Sequence, residues 1–119
     1  MKLFSAGGSN YIGVRDIRSA VSWYVENFGL RKIDVEMDDG EDCIALGYDQ
    51  QDYLFTLGPQ GKPTDQLTPQ LFTAKLKKAW EFLNTRGVTI GPIQEDRQGT
   101  HYFEVRDLEG NTIEISEEP

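Results

Sequence analysis

Two predicted helices of the 119-residue chain recur at a nearly constant spacing, and this repeat restricts the possible folds more than any other feature. Ile17 and Leu76, the first apolar residues of the two helices, are 76 − 17 = 59 positions apart. Gly29 and Gly87, the glycines expected to end them, are 87 − 29 = 58 apart. A constant offset indicates one supersecondary unit that is present twice. Because neither half is long enough to bury an adequate core alone, the two copies are expected to pack as one domain.

Each predicted helix carries an apolar stripe with a 3.6-residue period. In the first helix, Asp16 is the expected N-cap, and the stripe consists of Ile17, Ala20, Val21, Tyr24 and Phe28. In the second helix, Thr73 is the expected cap, and the stripe consists of Leu76, Ala79, Trp80 and Leu83.

Apolar and polar residues alternate on both sides of each helix, which predicts strands. The predicted strands are residues 9–14, 31–36, 43–48 and 53–57 in the first half and residues 67–73, 88–93, 100–105 and 112–116 in the second. Each half therefore has the order βαβββ. We expect a single domain over residues 1–119, with module 1 at about 1–58, a linker at 58–66 and module 2 at about 67–119.

The last predicted strand places one acidic side chain away from the core. Residues 107–111 (Asp-Leu-Glu-Gly-Asn) have the composition of a turn. Alternation then places Ile113 and Ile115 on one strand face and Glu114 on the other, with Thr112 and Ser116. Glu114 is therefore either a solvated surface carboxylate or part of a cavity wall.

Charge and cysteine content restrict the partners and the location. Twenty acidic and twelve basic residues give a net charge of −8, which repels nucleic acid and anionic membrane surfaces and attracts cationic ligands. Cys43 is the only cysteine, so no intrachain disulfide is expected. No apolar run approaches the roughly 20 residues of a membrane span, and the apolar stretch among the first residues is too short for a signal peptide. A cytoplasmic location is the expectation.

Several motifs resemble the vicinal oxygen chelate superfamily, which includes glyoxalase I, extradiol dioxygenases, fosfomycin-modifying enzymes and bleomycin-binding proteins. The motifs are residues 14–17 (Val-Arg-Asp-Ile), the Trp23-Tyr24 pair, residues 28–30 (Phe-Gly-Leu) and residues 107–115, and the resemblance extends over nearly the whole chain. It implies an α+β fold in which two tandem βαβββ modules form a curved, mostly antiparallel sheet around a cleft, with the helices on the outer face. A homodimer is expected by the same analogy.

The resemblance also implies where a metal would bind. Family enzymes hold a divalent metal with histidine or glutamine from the first strand of each module and glutamate from the last. Those positions correspond here to Ser9, Thr56, Thr68 and Glu114. Of these only Glu114 is an ordinary ligand, since neutral hydroxyl groups are weak donors for a transition metal. We therefore expect no tightly bound metal, and a divalent metal is the alternative.

His101 and Glu104 are further candidates near the end of the chain. His101 is the only histidine and shares strand parity with Phe103 and Val105, so it points to the core side or lies at a strand end. It is either a general base or a histidine without a catalytic role. Glu104 has the opposite parity and is a candidate neighbour of Glu114 across the hairpin, where two carboxylates would bind a cation or share a proton.

Aromatic residues complete the predicted pocket. Tyr11 and Phe72 share strand parity with Ser9 and Thr68, so they either line the same cavity or fill it as core. The expected function is binding of a small cationic or aromatic molecule by Ser9, Tyr11, Thr56, Thr68, Phe72, Glu104 and Glu114. One alternative is a metal-dependent lyase, isomerase or dioxygenase that uses Glu114 with His101 and Glu104. Another is an interaction module whose cleft is filled by its own side chains.

Overall fold

The computed structural model describes residues 2–6, 10–33, 43–61 and 68–118. The first module contains β1 (Ser5–Ala6), β2 (Tyr11–Val14), α1 (Ile17–Phe28), β3 (Arg31–Ile33), β4 (Ile44–Asp49) and β5 (Asp52–Pro59). The second contains β6 (Gln70–Thr73), α2 (Leu76–Asn84), β7 (Thr89–Ile90), β8 (Gln94–Glu95), β9 (His101–Arg106) and β10 (Thr112–Glu117). Every predicted strand has a counterpart, although the predicted strand 88–93 is only two residues long. The sequence did not predict β1 and β8, and most of the predicted linker lies outside the described residues.

The strands form two sheets that repeat one topology. The four-stranded sheet has the order β2-β5-β4-β3, and the six-stranded sheet has the order β1-β6-β10-β9-β7, with β8 also paired to β9. In each module the strand that precedes the helix runs parallel to the last strand, with Tyr11 opposite Thr56 and Gln70 opposite Glu114. The other pairings are antiparallel. The N-terminal segment joins the two sheets, because β1 pairs with β6 whereas β2 pairs with β5.

The caps of the two helices differ in how well the sequence predicted them. The Asp16 side chain accepts a hydrogen bond from the backbone N–H of Ser19, and Gly29 ends α1 with φ of 70°, both as predicted. The prediction of Thr73 as the cap of α2 was wrong. The N-cap is Lys75, which makes no side-chain capping bond, because Thr73 still belongs to β6 and its hydroxyl instead accepts the Lys75 N–H at 3.2 Å.

Each helix packs on the sheet of its own module. The helix α1 contacts β3, β4 and β5, and α2 contacts β7, β9 and β10. The predicted stripes are buried, apart from the partly buried Ile17 and Trp80. Phe4 lies between the modules, with its ring centroid 5.3 Å from that of Phe28 and 6.3 Å from that of Phe82. The N-terminal segment therefore contributes to the core between the helices as well as to both sheets.

The turn between β9 and β10 attaches the second module to the first. Buried Asp107 accepts a hydrogen bond from the Tyr24 hydroxyl of α1 at 2.7 Å. The Glu109 carboxylate accepts the backbone N–H groups of Arg15 and Asp16, at 2.8 and 3.0 Å, immediately before α1. Burial by itself raises the pKa of Glu109, but these backbone hydrogen bonds outweigh it and hold the pKa below its ordinary value. The turn predicted from residues 107–111 thus also holds the two modules together.

Candidate functional site

The candidate site lies on the face of the six-stranded sheet that points away from α2. Ile113 and Ile115 are fully buried in the core, so the intervening Glu114 points to the opposite face. Strand register then sets two rows of residues across β6, β10 and β9. The first row is Gln70, Glu114 and Glu104, and the second is Phe72, Ser116 and Tyr102.

This face forms one wall of a cavity of about 310 Å³, which we call the acidic cavity. It is lined by Gln70, Phe72, Asp96, Thr100, Tyr102, Glu114, Ser116 and Glu117. Three of these residues are carboxylates and none is lysine, arginine or histidine. Two are aromatic, so the cavity combines negative charge with ring surfaces.

A hydrogen-bonded pair fixes the Glu114 carboxylate. Gln70 Nε2 donates to Glu114 Oε2 at 2.7 Å and lies 3.5 Å from Ser116 Oγ. Asn10 in turn holds the Gln70 backbone, since Asn10 Nδ2 donates to the Gln70 carbonyl at 3.0 Å and the Gln70 N–H donates to Asn10 Oδ1 at 3.1 Å. Asn10 Nδ2 also donates to the carbonyl of Leu54 in β5, at 3.1 Å. The position of Glu114 is therefore connected through Gln70 and Asn10 to the first module.

The structure brings only some of the predicted site residues together. Phe72 and Glu114 line the acidic cavity. Glu104 is the cross-strand partner of Glu114, but it is exposed and does not line the cavity. Thr68 is exposed and precedes β6. Ser9 lies outside the described residues.

Tyr11 and Thr56 are neighbours on the other sheet. They are paired between β2 and β5, and both are buried. The Tyr11 hydroxyl donates to the Pro59 carbonyl at 2.6 Å. Neither residue lines the acidic cavity. Positions that are equivalent in the two modules thus lie on two separate sheets. Tyr11 and Thr56 are therefore not part of the same cavity as Glu114.

His101 lies on the opposite side of the six-stranded sheet from Glu114. It has the parity of buried Phe103, it is exposed at the start of β9, and it lines a different cavity together with Lys75 and Leu76 of the α2 start. Its Nδ1 is 3.0 Å from Glu117 Oε1. Hydrogen bonds from the backbone and the ring of His101 hold the pKa of Glu117 below its ordinary value. The alternative in which His101 joins Glu114 at a metal is therefore not supported by strand geometry.

The residues at the family's metal-binding positions do not suit a tightly held divalent metal. Of those that the structure describes, Thr56 and Thr68 offer only neutral hydroxyls, and Glu114 already accepts the Gln70 amide. No group of three or more His, Cys, Asp or Glu side chains could hold a metal ion within residues 2–6, 10–33, 43–61 and 68–118.

Sequence reasoning did not select Gln70, Tyr102, Ser116 and Asn10. The first three have the same strand parity as Phe72, Glu104 and Glu114, so alternation contained the signal for them. Asn10 gave no such signal, because its role depends on groups that lie 44 and 60 positions away along the chain.

The fold and the cavity together define a class of small α+β proteins that are built from two βαβββ modules with a cavity on the sheet. Residues 8–115 match the family model described as the Glyoxalase/Bleomycin resistance protein/Dioxygenase superfamily, and the chain belongs to that superfamily. This confirms the resemblance and the α+β fold of tandem modules expected from the sequence.

Three solved structures show the same fold. A member of this superfamily from Sphaerobacter thermophilus is 25% identical, with a TM-score of 0.71 over 92% of this chain and 94% of that one. TnmS3, an antibiotic-binding protein from Streptomyces sp. CB03234, is 18% identical, with a TM-score of 0.68 over 93% of each chain. A bleomycin resistance determinant encoded on the transposon Tn5 is 14% identical, with a TM-score of 0.71 over 95% of this chain and 98% of that one. The search of curated proteins found no match.

The described part of the chain contains no helix with the length and apolar character needed to cross a membrane.

Proposed function

We propose that this protein binds a small, positively charged organic molecule in the acidic cavity, without a tightly bound metal. The observation that carries the proposal is the lining itself, in which three carboxylates and two aromatic rings meet without any basic side chain. The ligand is held by burial against Phe72 and Tyr102, and Glu114 fixes its cationic or hydrogen-bonding group.

Charge and size support this ligand class. The net charge of −8 raises the local concentration of cations around the protein. A volume of about 310 Å³ is at the lower end of the range for small-molecule sites, which favours a compact ligand. The same volume counts against an interaction module whose cleft is filled by its own side chains.

The similar structures support a binding role in general terms. One is named an antibiotic-binding protein, so this fold can serve the recognition of a small organic molecule, and another is named a bleomycin resistance determinant. A metal-dependent lyase, isomerase or dioxygenase receives less support, because His101 lines a different cavity and Glu104, the cross-strand partner of Glu114, does not line the acidic cavity.

A matched series of ligands tests the proposal. Benzamidinium, benzamide and benzoate share a ring and a similar size but carry charges of about +1, 0 and −1. Isothermal titration calorimetry should give affinity in the order cation, neutral molecule, anion, with the cation in the range of roughly 0.1–1 mM that such fragments reach. Glu114→Gln should weaken benzamidinium binding by about tenfold or more, because it removes a charge-assisted hydrogen bond.

The matched control is Glu81→Gln, which removes one negative charge from an exposed position of α2. It should leave the affinity within about twofold of the wild type, since solvent and salt screen distant surface charges. The proposal fails if none of the three compounds binds saturably, or if benzoate binds as tightly as benzamidinium.

A homodimer and a cytoplasmic location remain part of the proposal. Family analogy supports the dimer, and the single cysteine supports a reducing compartment. Size-exclusion chromatography with light scattering should give twice the mass of the chain, and a monomer mass at micromolar concentration would contradict the dimer.

A further inference from the structure

We propose that the acidic cavity selects cations that carry N–H donors, such as an amidinium or a guanidinium, over quaternary ammonium ions of the same charge. This inference rests on the proposed function and specifies the chemistry of its ligand. It follows from the orientation of one amide beside one carboxylate.

The Gln70 amide has only one orientation that fits its neighbour. An ionised carboxylate cannot donate a hydrogen bond, so the group 2.7 Å from Glu114 Oε2 must be the amide nitrogen of Gln70. The amide oxygen, Gln70 Oε1, then remains an acceptor. Both residues line the cavity, so the pair contributes acceptor atoms to its wall. The two N–H groups of the amide are directed to Glu114 Oε2 and, at 3.5 Å, to Ser116 Oγ.

Two of these acceptors have no donor within the described part of the chain. The Glu114 carboxylate receives only the Gln70 bond, on Oε2, which leaves Oε1 without a hydrogen bond. Gln70 Oε1 likewise receives none. A ligand with two adjacent N–H groups on a planar cation has the geometry to serve a carboxylate or neighbouring acceptors.

The other two carboxylates of the lining have local partners. Asp96 Oδ1 accepts the backbone N–H groups of Gln98 and Thr100 and so closes its own turn. Glu117 Oε1 accepts the backbone N–H of His101 and contacts its ring nitrogen. Asp96 Oδ2 and Glu117 Oε2 also accept no hydrogen bond within the described residues, but Asp96 is exposed and Glu117 is paired with His101. Glu114 is half-buried on the strand between β6 and β9, and its one partner, Gln70, is itself part of the cavity wall, so we assign the orientation of the ligand to Glu114.

Two features of the cavity would favour different cations. Phe72 and Tyr102 flank Ser116 in the row next to Glu114, and their rings could hold a quaternary ammonium ion by cation–π attraction. Such an ion has no N–H, however, and it would displace water from the half-buried Glu114 without replacing the lost hydrogen bonds. Hydrogen bonding to a charged group is the stronger of the two effects, so the acceptors should determine the selectivity.

Benzamidinium and phenyltrimethylammonium distinguish these determinants, because both are aryl monocations and only the first has N–H groups. Calorimetry on the full chain should give benzamidinium the tighter binding by about tenfold or more. In Glu114→Gln the preference should fall to about threefold or less. Gln70→Met, which keeps the length of the side chain but removes the amide, should also reduce the preference, and Glu81→Gln should preserve it.

A second measurement on the wild type does not depend on the folding of any cavity variant. The side-chain NH₂ signals of Gln70 in a ¹⁵N-labelled sample, identified by their absence in Gln70→Met or by sequential assignment, should shift on titration with benzamidinium and much less with phenyltrimethylammonium. Equal affinities and equal shifts for the two cations would overturn the inference while leaving the proposed function in place. Failure of both cations to bind would overturn both.

Discussion

Replacing Asp107 with alanine should destabilise the protein strongly, because this buried carboxylate joins the turn between β9 and β10 to α1. Asp107 accepts four hydrogen bonds, from the Tyr24 hydroxyl at 2.7 Å, the Glu109 N–H at 2.9 Å, and the Asn111 N–H and Nδ2 at 2.8 and 3.0 Å. Water can replace the carboxylate for the partly exposed Glu109 and Asn111. It cannot reach the Tyr24 hydroxyl, since Tyr24 has an exposed fraction of 0%.

The expected loss of stability follows from the difference in exposure between the Tyr24 hydroxyl and the other three donors. Leaving one buried donor unsatisfied costs about 1–3 kcal/mol, and each hydrogen bond that water partly replaces contributes up to about 0.5 kcal/mol. We therefore expect Asp107→Ala to lower the free energy of unfolding by about 1–4.5 kcal/mol. Leu108→Ala in the same turn, where the side chain is 55% exposed, should change it by less than about 0.5 kcal/mol.

Urea denaturation, followed by tryptophan fluorescence and by circular dichroism, measures the free energy of unfolding of both variants. A double-mutant cycle with Tyr24→Phe isolates the contact, because Phe removes the donor that Asp107→Ala leaves without a partner. In the Asp107→Ala background, Tyr24→Phe should be neutral or stabilising. Additive effects of the two substitutions, or a loss below about 1 kcal/mol for Asp107→Ala, would refute the reasoning.

Two further predictions concern the other carboxylates of the same hairpin. The pKa of Glu109 is held below its ordinary value in the folded state, so its contribution to stability is present at pH above the ordinary value of 4.5 and disappears as pH falls through the lower folded pKa. Glu109→Gln should therefore be less stable than the wild type at pH 7, and urea unfolding between pH 5 and pH 3 should show a smaller loss of stability for the variant. Glu104→Gln should raise the free energy of unfolding by about 0.2–1 kcal/mol at low salt, because Glu104 and Glu114 are like charges directly opposite each other, and added salt should reduce this gain. A destabilised Glu104→Gln variant would show that the pair is not repulsive.

The sequence predicted most of the local structure and part of the candidate site. Periodicity located both helices, and the N-cap of α1 followed from Asp16 and its neighbours alone. The predicted cap of α2 was wrong, because pairing within the six-stranded sheet keeps Thr73 in β6, and the N-cap lies two residues later, at Lys75. Tertiary pairing here overrides a local capping preference.

Alternation along a strand predicts which residues share a face, but not which faces meet. It correctly separated Glu114 from Ile113 and Ile115, since that relation depends only on the period of a strand. It could not tell that Tyr11 and Thr56 lie on a different sheet from Phe72 and Glu114. That outcome depends on strand pairing within each module, where β2 pairs with β5 and β6 pairs with β10.

The amino-acid order therefore determined the duplicated βαβββ units, the negative charge and the side of β10 on which Glu114 lies, because each of these is a local or additive property of the chain. The three-dimensional arrangement decided the composition of the cavity: it placed Gln70 beside Glu114, left His101 on the opposite face and used Asn10 to connect the two modules. Hydrogen bonds between residues 44 to 60 positions apart exist only after the strands have paired, so no spacing in the sequence could predict them.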